Sequence, residues 1–430
     1  MVVTQLISSF TGALIGSLLT GIFTPIVVNW TIDKIIRQLI TSPSTRDPLL
    51  SYLYEIKNVP LQVHIETARR AFLGRPLLKP YESSSEGHSM DQLKLNPGDI
   101  NRWFDGLSID DIDISTQLGA NSRHPLKMPH PIILASPVNG IVVSETALQA
   151  LADAASQIGA PLFIGGQSLT PLCGSKSIIP TMTSVEELNV FKAKGLQPAM
   201  TEIRLSWPDL IGKDVWKDRE QNTQTHMYRT VPPLINSSRN LRETISSMRE
   251  VLNGAPIAVR LWASDNIEND ISLCLQAGAD VLLLETRESG SILAPAILMG
   301  QVGLPMLEAI KRAKAAIKPE SSPSLVIAGG LWEPGSILKA LAMGADAVVL
   351  DTVLLYAMLE EQIEKAVPWH PLGSLYMAEG KIEDNLNREQ AANSLVKYLN
   401  ACLEEIKLGL LVLGKRKLSD LQPEDLLNTR

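Results

Sequence analysis

Cysteine is scarce in this sequence, and the few cysteines are scattered. The 430 residues contain only Cys173, Cys274 and Cys402, with no CxxC spacing. Zinc sites and disulfide frameworks need clustered or regularly spaced cysteines, so neither is predicted. Unpaired thiols are typical of proteins in a reducing compartment.

Basic residues are also outnumbered. The chain has 39 Lys and Arg against 46 Asp and Glu, which gives a formal net charge of -7. Proteins that bind nucleic acid generally carry a basic patch or stripe. A nucleic-acid partner is therefore not expected.

Charged side chains are absent from residues 1–32. The run LISSFTGALIGSLLTGIFTPIVVNW is long enough to span a bilayer, which takes about 20 apolar residues. Lys34, Arg37 and Arg46 follow it, so the positive-inside rule places the rest of the chain in the cytoplasm. We expect a single-pass membrane protein with its anchor in residues 1–32; a buried N-terminal hairpin is the alternative.

Residues 33–109 are interpreted as a linker with juxtamembrane helices. The stretch HIETARRAFLGRP reads as a short basic helix, either on the membrane surface or simply solvated. The stretch KPYESSSEGHSMDQLKLNPGD is rich in Ser and turn residues, which indicates a loop.

A regular alternation of apolar runs and helical patterns begins near residue 130. The runs are PIILAS, APLFIGG, SIIPTM, AMTEIRLS, PIAVRLW, ADVLLLET, SLVIAGG and ADAVVLDT. Alternating strands and helices predict parallel strands, and continuously apolar strands predict a sheet buried on both faces. Eight such units favour an α/β fold of the (β/α)8 TIM-barrel type over residues 110–430, with extra C-terminal helices. An open sheet is the alternative.

In a (β/α)8 barrel, ligands and chemistry are found where the strands end. The chemically useful residues at those ends are Pro137, Asn139, Gly140, Gly165, Gly166, Gln167, Arg204, Arg260, Glu285, Glu288, Gly329, Gly330, Asp351 and Thr352. Glu285 and Glu288 are candidates for acid or base chemistry if buried; a solvated loop is the alternative.

The glycine pair Gly329-Gly330 follows the seventh predicted strand. Loops after the seventh and eighth strands of such barrels often form a phosphate site, because bare backbone N–H groups and a helix start face the anion. The pair is a candidate for that role, and ordinary turn chemistry is the alternative.

The segments of this region together resemble the FMN-binding barrel domain of glutamate synthase and its stand-alone relatives. The resemblance covers about residues 110–430 and rests on these stretches: GAPIAVRL, GADVLLLETRESGSILAPAILMGQVGLP, AGGLWEPGSILKALAMGADAVVLDT and NREQAANSLVKYLNACLEEIKLGLLVLGKRKLSDLQPEDLL. The resemblance implies an FMN-dependent oxidoreductase acting on CH-NH2 donors.

By this resemblance, Gly329 and Gly330 face the FMN phosphate with Asp351 and Thr352 nearby. Arg260 stands at the position of a flavin-contacting lysine, where a fixed cation stabilises the negative charge of the reduced ring. Its alternative role is an ion pair with Glu285. The ring would be bordered by Pro137, Asn139, Gly140, Gly165, Gly166 and Gln167, with Arg204 also at the cofactor.

The sequence departs from the family pattern in four features. Ala328 stands where the family has Asp, and Asp351 stands before Thr352 where the family has Gly. The glycine-rich loop has become TRESGSIL, and the cysteines for an iron–sulfur cluster are absent, so no cluster and no metal are expected. A carboxylate beside a phosphate dianion is unfavourable unless a cation intervenes.

Two functions follow from these features. The first is a membrane-anchored, glutamate-synthase-like FMN oxidoreductase with an unknown small-molecule substrate. The second is a flavin-free barrel that acts as a binding or scaffold protein, or as a non-redox enzyme using the old phosphate pocket. A homo-oligomer, through Gly12 and Gly16 of the anchor, and a separate electron-donor or amidotransferase protein remain open as partners.

Overall fold

The structure of this chain is a computed structural model. The residues that it describes are 63, 67–68, 70–72, 74, 89–98, 106–135, 143–165, 177–182, 184–193, 195–205, 209–210, 228–229, 235, 237–289, 302–317, 323–366, 370, 373–378 and 382–428. The predicted anchor, residues 1–32, lies outside them. Within the described ranges, no helix is both long enough and apolar enough to cross a bilayer.

Eight parallel strands form a closed barrel, which confirms the predicted fold class for this part of the chain. Each strand pairs with the next along the chain, and the eighth pairs with the first. The strands are β1 Ile132–Ala135, β2 Leu162–Gly165, β3 Ile178–Thr181, β4 Thr201–Arg204, β5 Ile257–Trp262, β6 Val281–Glu285, β7 Ser324–Ala328 and β8 Ala347–Leu350. The open-sheet alternative is thereby excluded.

Helices connect the strands and cover the barrel. They are α1 Glu145–Ile158, α2 Val185–Ala193, α3 Ser238–Val251, α4 Ile267–Ala277, α5 Met306–Ala316, α6 Pro334–Ala342, α7 Thr352–Leu359, α8 Gly373–Tyr376 and α9 Arg388–Val412. Their ends follow local sequence rules. Helix α1, for example, begins after Ser144, whose hydroxyl accepts a hydrogen bond from the amide of Ala147, and ends at Gly159 with φ +75°.

Short elements complete the described chain. The 3-10 helices are Ser89–Gln92, Ile109–Asp111, Glu360–Lys365, Glu383–Asn385, Leu418–Asp420 and Pro423–Asp425. The two-stranded pairs are Leu93–Leu95 with Leu426–Asn428, Thr116–Leu118 with Leu126–Met128, and Asp209–Leu210 with Tyr228–Arg229. All described residues except His370 belong to one compact unit.

The interior of the barrel is apolar at its amino-terminal end. Inward-facing side chains of the strands, such as Ile133, Val281 and Ala347, form one buried cluster with the hairpin residues Leu118 and Met128. A hairpin that precedes the first strand thus closes this end, and its burial stabilises the barrel through the hydrophobic effect.

Described parts of residues 33–109 pack on the barrel unit, although this region was predicted to be a linker with juxtamembrane helices. Val63, Thr67 and Arg70 are buried. The Arg70 guanidinium forms two hydrogen bonds with the carboxylate of Glu405 on α9, at 2.8 and 3.1 Å. The helical residues near Arg70 therefore dock on α9 rather than forming a solvated helix.

Candidate functional site

Charged side chains replace the apolar core at the carboxyl-terminal end of the barrel. Because side chains on a strand alternate between its two faces, Glu202 and Arg204 of β4 point inward together, as do Arg260 of β5 and Glu285 of β6. These four residues, called here the mouth cluster, contact one another directly. Three of these four residues, Arg204, Arg260 and Glu285, were predicted site residues, and the structure brings them together.

Arg260 is at the centre of the mouth cluster. Its Nε and Nη2 atoms donate to the two carboxylate oxygens of Glu202 at 2.6 and 3.0 Å, and its Nη1 donates to Oε1 of Glu285 at 3.0 Å. The guanidinium carbon also lies 5.0 Å from the ring centroid of Phe163. The ion pair with Glu285 that the sequence left open is therefore present, and Glu202 adds a second carboxylate.

Arg204 and Glu285 complete the cluster. Nη2 of Arg204 donates to Oε1 of Glu285 at 2.8 Å. Burial lowers the pKa of Arg260, but the carboxylates of Glu202 and Glu285 more than offset this, so its pKa is raised. Two guanidinium groups thus face two carboxylates in a water-poor environment, and their charges cancel.

Asp351 brings a third carboxylate to the same end of the barrel. Burial raises its pKa; the amide of Thr352 and the charge of Arg260 lower it, and the charge of Glu285 raises it further. Its carboxylate accepts a hydrogen bond from the backbone N–H of Thr352, the first residue of α7. The net effect is a pKa of Asp351 above the usual value of an aspartate carboxyl.

The glycine pair has the backbone conformation that only glycine adopts easily. Gly329 and Gly330 have φ values of +111° and +63°. A Cβ added at Gly329 would collide with Ser289, at 2.6 Å from its backbone nitrogen, as well as with its hydroxyl. The hydroxyl of Ser289 in turn donates to the carbonyl of Ala328 at 2.9 Å. The close approach at Gly329 is thus made to the chain itself.

The hydrogen-bond partners of Glu288 are residues outside the mouth cluster. Its Oε1 accepts from the hydroxyl of Ser89 at 2.6 Å, and its Oε2 accepts from the amide of Met306 at the start of α5, at 2.9 Å. These contacts join the segment around Ser89 to the barrel. Glu288, predicted as a candidate acid or base, therefore has a structural role here.

Several predicted site residues lie outside the described part of the chain: Pro137, Asn139, Gly140, Gly166 and Gln167. Gly165 is the last residue of β2 and pairs with Thr181 of β3. Among the described residues, no group of His, Cys, Asp and Glu side chains is arranged to hold a metal ion.

A groove of about 450 Å³ lies at the ends of β4 and β5, next to α3 and α4. Apolar side chains and a few polar ones line it, among them Leu205, Trp262, Leu273, Ser264 and Asp270. Its volume is within the range of small-molecule sites, about 300–1,000 Å³.

Sequence reasoning missed Glu202 and Phe163 as parts of this site. The signal for Glu202 was present: a carboxylate two residues before Arg204 in an otherwise buried strand places both on the inward face. Nothing in the sequence indicated that Ser289 would meet the glycine pair, because that contact depends on how two loops pack.

Comparisons with known proteins agree with this architecture. The family model described as the conserved region in glutamate synthase matches residues 231–415. The glutamate synthase large subunit-like protein of Rhizobium meliloti is 30% identical over 177 residues, 36% of this chain and 40% of that protein. The archaeal glutamate synthase (NADPH) of Archaeoglobus fulgidus is 26% identical over 358 residues, 77% of this chain and 66% of that protein.

The chain thus spans less than two thirds of the length of these two relatives. Among solved structures, a soluble mutant of the membrane-associated (S)-mandelate dehydrogenase from Pseudomonas putida superposes with a TM-score of 0.53 at 16% identity. That match covers 85% of this chain and 99% of the other, and it shows a shared barrel fold alone. The similarity to glutamate synthases is confirmed for the barrel.

Proposed function

We propose that this chain is a glutamate-synthase-like barrel that binds a small molecule in the groove beside its carboxyl-terminal mouth, without FMN. The observation that carries the proposal is the state of Arg260. Its guanidinium is buried and already bonded to Glu202 and Glu285. A cation whose charge is cancelled in this way cannot give a reduced flavin ring the stabilisation that the family resemblance assigns to this position.

FMN has two further requirements that the described residues do not meet. A phosphate needs bare backbone at the glycine pair, but Gly329 is packed against Ser289. It also needs a helix start free of other anions, but the carboxylate of Asp351 is bonded to the amide of Thr352. The residues present therefore do not fit FMN in the family's manner, and no step through a flavin is derived.

The groove beside the mouth is the proposed ligand site. Leu205 and Trp262 at the strand ends offer an apolar wall, and Ser264 and Asp270 offer polar atoms. Small-molecule sites commonly combine a mainly apolar lining with a few polar groups that orient the ligand. Native mass spectrometry of the full chain is expected to detect a bound small molecule, and Ser238→Trp, which fills the groove, is expected to displace it.

The test of the flavin-free proposal is direct. The full-length protein, purified in detergent, is expected to show no flavin absorbance. The fluorescence of FMN added at about 100 μM is expected to remain unquenched. The dissociation constant is then above about 100 μM, and binding is weaker than about -5.5 kcal/mol. Stoichiometric flavin in the purified protein, or saturable quenching below that concentration, would refute the proposal.

An FMN-dependent oxidoreductase is the second candidate. It is favoured by the similarity to archaeal glutamate synthase over 77% of the chain and by the retained left-handed glycine pair after β7. On this candidate the substrate would be an amino-acid-type CH-NH2 donor, and a separate protein would supply electrons or ammonia. Bleaching of bound flavin by an anaerobic amino-acid substrate would establish it.

Membrane anchoring through residues 1–32 is part of the proposal, with the barrel in the cytoplasm. It is supported by the absence of charged residues from that stretch and by the basic residues that follow. The full-length protein should pellet with membranes and resist alkaline carbonate extraction. Full-length protein in the soluble fraction would rule the anchor out.

A further inference from the structure

The groove beside the mouth lies on the outer side of the barrel wall. Its lining includes Leu205 and Leu261, each of which comes one residue after an inward-pointing arginine of the mouth cluster. Because side chains alternate along a strand, these two leucines point toward the covering helices α3 and α4. The amide of Leu205 donates to the carbonyl of Arg260 at 2.8 Å, which continues the pairing of β4 with β5 up to the groove. The strands themselves therefore separate a ligand in the groove from the charges of the mouth cluster.

The described residues that line the groove carry a single charge. Asp270 of α4 is the only acid among them, and none of them is Lys, Arg or His. Burial, and after it the charge of Asp270, raises the pKa of the Cys274 thiol to about 12, so this thiol stays neutral at neutral pH. An anionic ligand would find no counterion among these residues, and Asp270 would repel it.

Asp270 differs in its partners from a neighbouring carboxylate. Glu268 and Asp270 both lie in the first turn of α4, where the helix dipole favours negative charge. Glu268 pairs with Arg312 at 2.6 Å. Asp270 accepts a hydrogen bond from the hydroxyl of Ser264 at 2.9 Å, and no cationic side chain within the described ranges pairs with it. Its charge thus faces the groove without a cationic partner from these residues.

The polar groups of the groove offer acceptors rather than donors. The hydroxyl of Ser264 donates its one proton to Asp270, and that of Ser237 donates to Oδ1 of Asn240 at 2.7 Å. A carboxylate has about four lone-pair sites, so Asp270 can accept further hydrogen bonds. The ligand that matches this lining is therefore a hydrogen-bond donor with a positive charge.

The larger part of the lining is apolar. It includes the side chains of Leu205, Leu241, Leu261, Trp262 and Leu273. The indole N–H of Trp262 donates to the carbonyl of Val302 at 3.1 Å, so the indole contributes ring surface to the groove rather than a donor. Aromatic rings attract cations through their faces. Leu273 is 45% exposed, and an apolar group that covered it would remove that surface from water.

We propose that this groove binds an organic cation, a protonated amine carried on an apolar body, with the Asp270 carboxylate as its counterion. The inference rests on the proposed function, since it takes the groove as the ligand site. It goes further by naming the charge and the hydrogen-bonding class of the ligand. It also separates the ligand from amino acids, whose own carboxylate would lack a counterion beside Asp270.

Isothermal titration calorimetry of the full chain in neutral detergent tests the inference with three matched probes. Phenethylamine carries the ammonium group, phenethyl alcohol replaces it with a hydroxyl, and phenylalanine adds a carboxylate to it. The wild type should bind the amine at least about tenfold more tightly than either of the others, because hydrogen bonds between charged groups are among the stronger ones. Ser238→Trp, which fills the groove, should abolish binding of the amine.

Two substitutions in the first turn of α4 identify the counterion. Asp270→Asn keeps the size of the side chain and an acceptor for Ser264 but removes the charge. Its affinity for phenethylamine should fall at least about tenfold, to that of the alcohol. Glu268→Gln removes a carboxylate of the same turn that is not part of the groove lining, so the affinity for the amine should stay as in wild type.

Equal affinity of the wild type for the amine and the alcohol would overturn the inference, as would tighter binding of phenylalanine or no binding of the amine. It would also be overturned if amine affinity survived Asp270→Asn or Ser238→Trp, or fell equally in Glu268→Gln. The probe comparison uses the wild type alone, so it decides the question even if Asp270→Asn does not fold. Failure of the proposed function is distinct, because it appears as FMN binding by the wild type.

Discussion

At its amino-terminal end the barrel interior is filled by apolar side chains of the strands and the closing hairpin, whereas at its carboxyl-terminal end it is filled by the mouth cluster. The apolar packing at the amino-terminal end stabilises the fold as long as the side chains fill the available volume, because hydrophobic burial does not depend on the direction of a contact. The mouth cluster requires every partner in place, because a buried charge without its partner is strongly destabilising. The two ends should therefore respond differently to substitution.

The largest expected effect is the loss of a partner in the mouth cluster. Glu202→Leu removes both hydrogen bonds that hold Nε and Nη2 of Arg260, and we expect the free energy of unfolding in urea to fall by about 3–5 kcal/mol. The double variant Glu202→Leu/Arg260→Met should be more stable than the single one, since no charge is then stranded.

A substitution at the amino-terminal end of the barrel serves as the control for the mouth-cluster variants. Leu118→Ala in the closing hairpin should lose about 2–5 kcal/mol through transfer and cavity terms. Its effect should add to that of Arg260→Met. If Glu202→Leu and Arg260→Met were also simply additive, the cooperative description of the mouth cluster would be wrong.

A substitution in the glycine pair should cause the next largest loss of stability. Gly329→Ala forces a side chain into φ +111° and against the backbone of Ser289, so it should destabilise the protein by about 2–4 kcal/mol. Gly335→Ala is the matched control, because a Cβ there meets nothing within 4 Å. Thermal unfolding of both variants measures the difference, and equal stability would contradict the packing at Ser289.

His130 provides a pH-dependent test at the amino-terminal end. Burial lowers its pKa to about 4, and the backbone amide of Ile132 donates to its Nδ1. The folded protein therefore favours neutral imidazole, while the unfolded chain takes up a proton near pH 6.5. Stability should be complete above about pH 6.5 and fall by about 2–3 kcal/mol as the pH drops toward 4.

Urea unfolding at pH 7 and pH 4.5 measures this loss. His130→Gln should flatten the pH dependence, whereas the same change at the exposed His124 should leave it as in wild type. An unchanged slope in His130→Gln would assign the acid sensitivity to other groups.

Glu288 should give the smallest effect. Glu288→Gln weakens the bonds to the Ser89 hydroxyl and the Met306 amide, and we expect a loss of about 1 kcal/mol with faster hydrogen exchange at the start of α5. Glu308→Gln, at an exposed position in the first turn of the same helix, is the control. A stability equal to wild type, with loss of ligand binding, would instead return Glu288 to the functional site.

The barrel could be predicted because most of its strands carry short apolar runs that alternate with helical patterns, and such a pattern within one segment is a local property. The helix from Glu145 to Ile158, for example, could be predicted from the spacing of its apolar residues and from the flanking Ser144 and Gly159. The partners inside the mouth were not visible in the same way. The pairing of Arg260 with Glu202 joins residues 58 positions apart, and its geometry depends on strand register.

The glycine pair illustrates the other limit of sequence reasoning. The sequence predicted a close backbone approach at Gly329 and Gly330, and the structure shows both in the left-handed conformation that glycine permits. What the pair approaches could not be inferred, because Ser289 reaches Gly329 only after two separate loops have taken their final positions. A glycine pair predicts a close approach but does not identify the group that makes it.

The ion pair between Arg70 and Glu405 joins residues that are 335 positions apart. During synthesis at about 5–20 residues per second, Arg70 would wait roughly 20–70 s for its partner. The strand Leu93–Leu95 likewise has to wait for Leu426–Asn428. Contacts of such long range slow folding. The segments around Arg70 and Leu93 therefore reach their final pairing only after the carboxyl-terminal part of the chain has been synthesised.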